Sequence, residues 1–195
     1  MKRELARKAI HVSSTAVPLL VWLLPHRVAI ALLVPVALLA LTIDFARHRI
    51  RPFRYHFLRH TRTMLRPHER RGLAGATWMA IAYAAAAVLF PKPVAVAAML
   101  FNGLGDAAAA LVGKRWGRHR TAWGKSWEGF AAGLAVDLAI GVGAWVLAPG
   151  TVPLAAGVMG ALIAATVEFA PLPLDDNLRV TLAGGAGMML GLSLF

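Results

Sequence analysis

The chain alternates between long apolar runs and short, mostly basic breaks. Apolar stretches fall at about 9–25, 28–46, 76–90, 94–113, 127–148, 151–170 and 178–195. A helix needs about 20 residues to cross a ~30 Å hydrocarbon core. The pattern therefore predicts an all-α, polytopic membrane bundle of about seven transmembrane helices. Several runs are short for a full crossing, which predicts interrupted helices or a cavity open to water. Pro91 and Pro93 open the fourth run and Pro149 follows the fifth, as expected at helix ends.

Composition strengthens that reading. Hydrophobic residues fill 58% of the 195 positions and charged ones 15%, far from the balance of a soluble domain. One domain over 1–195 is expected. The formal net charge of +12 would point to nucleic acid in a soluble protein. Here the basic residues lie between apolar runs, so topology explains them and no nucleic-acid partner is expected. There is no cysteine, which excludes disulfides, a thiolate nucleophile and cysteine metal sites. The basic start, Met1 to Lys8, lacks a small-residue cleavage site and reads as the beginning of an uncleaved span.

Charge then orients the bundle. Lys2, Arg3, Arg7 and Lys8 precede the first run, and nine arginines crowd 47–71. Lys114, Arg115, Arg118, Arg120 and Lys125 follow the fourth run, and Arg179 the sixth. The opposite loops hold Arg27 and Lys92. The positive-inside rule puts the N-terminus in the cytosol and the C-terminus outside. Pro52 to Arg66 reads as a basic interfacial helix, with Phe53, Phe57 and Met64 in lipid and arginines at the headgroups. Gly129–Gly133 and Gly187–Gly191 have the spacing of close helix contacts.

The acids gather at one depth. Asp106 lies about two turns before the end of the fourth run, Glu128 opens the fifth, and Glu168 closes the sixth. Asp175, Asp176 and Asn177 follow. A carboxylate inside a span costs roughly 2.5–3.5 kcal/mol on insertion scales, so it usually has a partner. Mg²⁺ prefers oxygen ligands and is commonly shared between one or two carboxylates and substrate phosphates. Asp106, Glu168, Asp175, Asp176 and Asn177 are the metal candidates. Asn102, one turn before Asp106, shares its face. Asp137 stands nine residues after Glu128 and thus on the opposite face, where a structural or substrate-pocket hydrogen bond is expected. Asp44 and His48 read as a local pair. His56 and His60 stand among arginines, which repel a cation, so no zinc site is expected.

The loop from 113 to 125 is the phosphate candidate. Backbone N–H groups near Gly113, Gly117 and Gly124 can approach an anion, and Lys114, Arg118 and Lys125 can neutralise it. Gly124-Lys125-Ser126 lacks the full spacing of a nucleotide-binding P-loop. Gly105 adjoins Asp106 at the other end of the motif. Near the N-terminus, Arg7, Lys8 and His11 share one side of an entering helix and join the candidates for nucleotide binding. Asp106, Lys125 and Glu128 are the candidates for catalysis.

These motifs together resemble the polyprenol kinase family of dolichol kinases, phytol kinases and CTP-dependent diacylglycerol kinases. The matching elements are Glu4…Arg7-Lys8…His11, then Gly105-Asp106-Ala107…Gly113…Gly117…Lys125-Ser126…Glu128-Gly129, then Glu168…Asp175-Asp176-Asn177-Leu178. One departure stands out: Arg179-Val180-Thr181 follows the last element, where the family usually has a proline. The resemblance implies transfer of the γ-phosphoryl of a nucleotide, commonly CTP, to the hydroxyl of a membrane lipid alcohol, with Mg²⁺. Asp106 then serves either as base or as metal ligand.

Two rivals follow from the same residues. A CDP-diacylglycerol synthase-like cytidylyltransferase would attack the α-phosphate and release pyrophosphate. A small transporter or channel would use the buried acids as a cation path, with acids spaced through the membrane rather than gathered at one face.

Overall fold

The computed structural model describes residues 13–61, 65 and 69–194. They form eight helices. These are α1 (Ala16–Leu23), α2 (His26–Arg49), α3 (Arg51–Thr61) and α4 (Gly75–Leu89), then α5 (Lys92–Trp116), α6 (Trp127–Leu147), α7 (Leu154–Phe169) and α8 (Asp176–Leu194). A π turn at Phe101–Gly105 interrupts α5 without breaking it. Among the described residues the β geometry is confined to one isolated bridge, Arg120 with Ser126. The all-α bundle expected from the apolar runs is therefore present.

Helix ends follow local chemistry. Pro25, Pro91 and Pro153 occupy the N-cap positions of α2, α5 and α7. Each leaves the helix start without a proline N–H to satisfy. Ser126 caps α6 by accepting from Gly129 N at 3.1 Å.

Among the described residues three helices are long and apolar enough to cross a bilayer: α2, α5 and α6, with 24, 25 and 21 residues. At 1.5 Å per residue they extend about 30–38 Å. The shorter α4 and α7 are also apolar. These helices support a membrane location. The centre of the bundle is α5, whose apolar window is 67% buried, against 17% for α2 and 22% for α6. Leu32, Val36, Leu39 and Phe45 of α2 stay exposed, the expected state of a lipid-facing helix.

Small residues bring the helices together. Lipid is as apolar as leucine, so association depends on close van der Waals packing. The two most extensive pairs are α5 with α6 and α7 with α8, followed by α6 with α7. Gly141 and Gly157 touch backbone to backbone, and a Cβ on either would overlap the other's carbonyl. Gly191 packs on Ala156, and Gly133 on Ala109. Both glycine spacings singled out in the sequence therefore sit at helix contacts.

Near the basic segment the structure corrects one expectation. Asp44 pairs with Arg47, not His48. Both are 1% exposed. Arg47 also donates to the carbonyls of Glu69 (2.9 Å) and Gly72 (2.6 Å), and Ala74 N donates to Asp44 (2.8 Å). The connection before α4 thus closes over the pair and selects the residue one position earlier. His48 reaches only the Gly72 carbonyl, at 3.2 Å. The basic helix is described over Arg51–Thr61, and Met64 and Arg66 lie outside the described residues. None of its residues is buried.

Candidate functional site

The π turn of α5 has the sequence Phe-Asn-Gly-Leu-Gly. Such turns insert one residue into a helix and recur at functional positions. Asn102 sits in it, 1% exposed, and donates to Oδ1 of Asn177 at 3.2 Å. Asn177 in turn donates to Asp175 (2.9 Å) and to the carbonyl of Gly75 (3.3 Å). One amide pair thereby ties α5, α8 and the start of α4. Asp175 also accepts from Asn177 N at 3.0 Å, a local turn that opens α8. Arg179 donates to Asp176 and, at 2.7 Å, to the carbonyl of Ala170.

The basic loop is a small hairpin laid on the end of α7. Thr121 N donates to the carbonyl of Lys125 (2.8 Å) and Trp127 N to that of His119 (3.0 Å). Gly124 turns it with φ +89° and open space around it, a backbone region natural to glycine. Arg120 donates to the carbonyls of Gly113 (3.0 Å) and Gly124 (3.2 Å), satisfying one of the orphan groups at the C-terminus of α5. Trp123 donates from its indole to the carbonyl of Phe169 at 2.9 Å. The rings of Trp123, Trp127 and Phe130 surround Phe169, with centroids 4.7–5.8 Å away. From this platform Lys125 reaches the carboxylate of Glu168 at 2.6 Å and also its backbone carbonyl.

Between α5 and α6 lies a seam of small residues. The buried positions of α6 are Gly129, Gly133, Asp137 and Gly141, one every four residues. Gly129 faces Ala109 and Gly113, Gly133 faces Ala109, and Asp137 faces Gly105. A Cβ at Gly105 would overlap the Asp137 carboxylate. Gly105 thus makes room for an acid. Gly113 and Gly117 make room for Ser126 in the same way. We expect Gly105→Ala to destabilise the protein by about 1–3 kcal/mol through overpacking. Most of that loss should be recovered in Gly105→Ala/Asp137→Ala, as read by unfolding of the detergent-solubilised protein. Equal stability of Gly105→Ala and wild type would contradict this packing.

Asp137 is 2% exposed, and its Oδ1 is buried without a hydrogen-bond partner. Glu168 and Asp106 both act on it electrostatically, and Asp106 and Asp176 act on Glu168. The structure therefore brings Asp106, Glu168 and Lys125 into one neighbourhood, with Asn102 and Asn177 at its side. Asp175 and Asp176 border it, but their carboxylates are engaged by Asn177 and Arg179. Glu128 turns the other way and accepts from His119, at 3.1 Å from the backbone and 2.7 Å from the ring. Lys114 and Arg118 are exposed near the end of α5. Arg7, Lys8 and His11 lie outside the described residues.

Among the described residues no three acids or histidines form a ready cation cage. A Mg²⁺ ion shared with a triphosphate needs only one or two carboxylates, because phosphate oxygens and waters complete its shell. Asp106 and Glu168, hard oxygen donors in electrostatic reach of each other, fit that demand. The aromatic platform around Phe169 joins distant segments and leaves no local signal in the sequence. Asp137, expected from the sequence to make a structural or substrate-pocket hydrogen bond, sits in a four-residue repeat with glycines.

No family model matches the chain, and no solved structure matches it. It is similar to Uncharacterized protein RP860 of Rickettsia prowazekii (strain Madrid E), with 31% identity over 118 residues. The match covers 58% of this chain and 57% of that protein, so the chain spans less than two thirds of its relative's length.

Proposed function

We propose that this protein is an integral-membrane kinase of lipid alcohols. It transfers the γ-phosphoryl group of a nucleoside triphosphate, CTP by the motif resemblance, to the hydroxyl of a polyprenol, dolichol, phytol or diacylglycerol. One observation carries the reading: Lys125 pairs with Glu168 beside a basic loop, and Asp106 and Asp137, deeper in the apolar bundle, stand within electrostatic reach of that carboxylate. A triphosphate needs cations and backbone donors around its oxygens. A lipid alcohol needs an apolar flank, because drawing a long chain into water costs ~0.8 kcal/mol per CH₂.

In this reading seven helices cross the bilayer, with α3 lying at the interface. The basic segments, and the site with them, face the cytosol. Lys125 rests on Glu168 until the triphosphate arrives, then turns its ammonium to the phosphates and releases the carboxylate. Asp106 and Glu168 would hold Mg²⁺, which neutralises charge on the transferred group. Lys114 and Arg118 supply further positive charge at the open side of the loop. The alcohol oxygen forms a bond to Pγ as the bond from Pγ to the β–γ bridging oxygen breaks. The nucleoside diphosphate leaves, and the hydroxyl proton passes to a carboxylate of the cluster.

The test is a transfer assay with purified protein, Mg²⁺ and CTP or ATP labelled at the γ- or α-phosphate. Farnesol, phytol, polyprenol and diacylglycerol are offered as acceptors. Label from the γ-phosphate in the lipid product is the expected result. Label from the α-phosphate, with pyrophosphate released, would assign a cytidylyltransferase instead. No transfer to any acceptor would end the kinase reading.

A further inference from the structure

We infer that Oδ1 of Asp137 is the acceptor that holds the hydroxyl of the membrane alcohol. The inference rests on the kinase reading and names a contact which that reading leaves unassigned. Asp137 is 2% exposed, yet its Oδ1 has no hydrogen-bond partner. A buried open acceptor of this kind is rare in folded proteins and calls for a ligand or a water. The other described acids are all engaged. Asp44 pairs with Arg47, Glu128 with His119, Glu168 with Lys125, Asp175 with Asn177 and Asp176 with Arg179. Asp106 and Glu69 also have partners. Packing does not explain Asp137 either, since its stripe is otherwise glycine and Gly105 is hollowed out to admit it.

Position identifies the ligand class. Asp137 is the eleventh of the 21 residues of α6, about 15 Å along the helix from Trp127. Asp137 lies on the buried stripe of α6 against Gly105, so a ligand reaches it from between α5 and α6. A hydrated ion would shed its water to reach that depth. An alcohol dissolved in hydrocarbon arrives with one O–H donor and little hydration to lose. One open oxygen matches one O–H donor, whereas a divalent cation takes six or more oxygens. Asp106 and Glu168 stand within electrostatic reach of Asp137.

The test compares farnesol with farnesyl methyl ether, which has the same chain and no O–H donor. Unfolding temperature of the full chain in detergent is followed as each is added, with Mg²⁺ alone as a third arm. Farnesol should stabilise the wild type and the ether should not. Asp137→Ala should bind farnesol about tenfold more weakly, the scale of one lost hydrogen bond. Asp137→Asn keeps an acceptor oxygen and should retain most of the effect. Equal stabilisation by farnesol and its ether in the wild type would overturn the inference without any variant having to fold. So would wild-type farnesol affinity in Asp137→Ala, or a Mg²⁺ response lost in that variant while farnesol binding persists. Asp137-dependent farnesol binding with no phosphoryl transfer would sink the kinase reading and leave this contact standing.

Discussion

Lys125→Ala is expected to lower phosphoryl transfer by about 10²–10³-fold, the usual cost of removing one preorganised charge stabiliser. The protein should still fold. The hairpin keeps its backbone pairing, and Trp123 keeps its bond to the Phe169 carbonyl. The Lys125–Glu168 pair is partly solvated, with side chains 28% and 12% exposed, so its loss is not the loss of a fully buried ion pair. Steady-state transfer by the purified variant, checked for folding by its unfolding transition, decides the matter, and a rate near that of the wild type would contradict the role given to Lys125.

Arg47→Ala carries the largest expected effect on stability, a loss of about 3–5 kcal/mol. The guanidinium joins the end of α2 to the two carbonyls that close the connection before α4. It also lies 5.3 Å from the ring of Phe57 on α3. Removing it leaves a buried Asp44 carboxylate with the Ala74 N–H, takes the Arg47 donor from the Glu69 carbonyl and leaves the Gly72 carbonyl with His48. Asp44→Ala should do comparable damage. The double variant should lose much less than the sum, since neither charge is then left alone. Additive losses in denaturant unfolding would show that the two side chains act independently.

Most of the helices were legible because they lie in apolar runs, the basic α3 because its arginines alternate with aromatic residues, and the glycine spacings because close approach demands small residues. Pairing inside the bundle was less so. Asp44 has a basic neighbour at both i+3 and i+4, and only the connection carrying Glu69 and Gly72, more than twenty residues away, settles the choice. Gly113 and Gly117 show why spacing misleads: a glycine that lets a backbone approach phosphate looks the same as one that admits Ser126. Asp137 had a readable signal in its four-residue repeat with Gly129, Gly133 and Gly141.

The π turn has a consequence for how this chain tolerates change in length. It holds a residue more than ordinary pitch allows, and takes up that residue in one wide turn. Deleting one residue between Phe101 and Gly105 would let the helix relax to regular winding while Asp106, Ala109 and Gly113 kept facing α6. The regular part of α5 has no such slack. A deletion between Asp106 and Gly113 would swing everything beyond it about 100° around the axis, out of register with its neighbour.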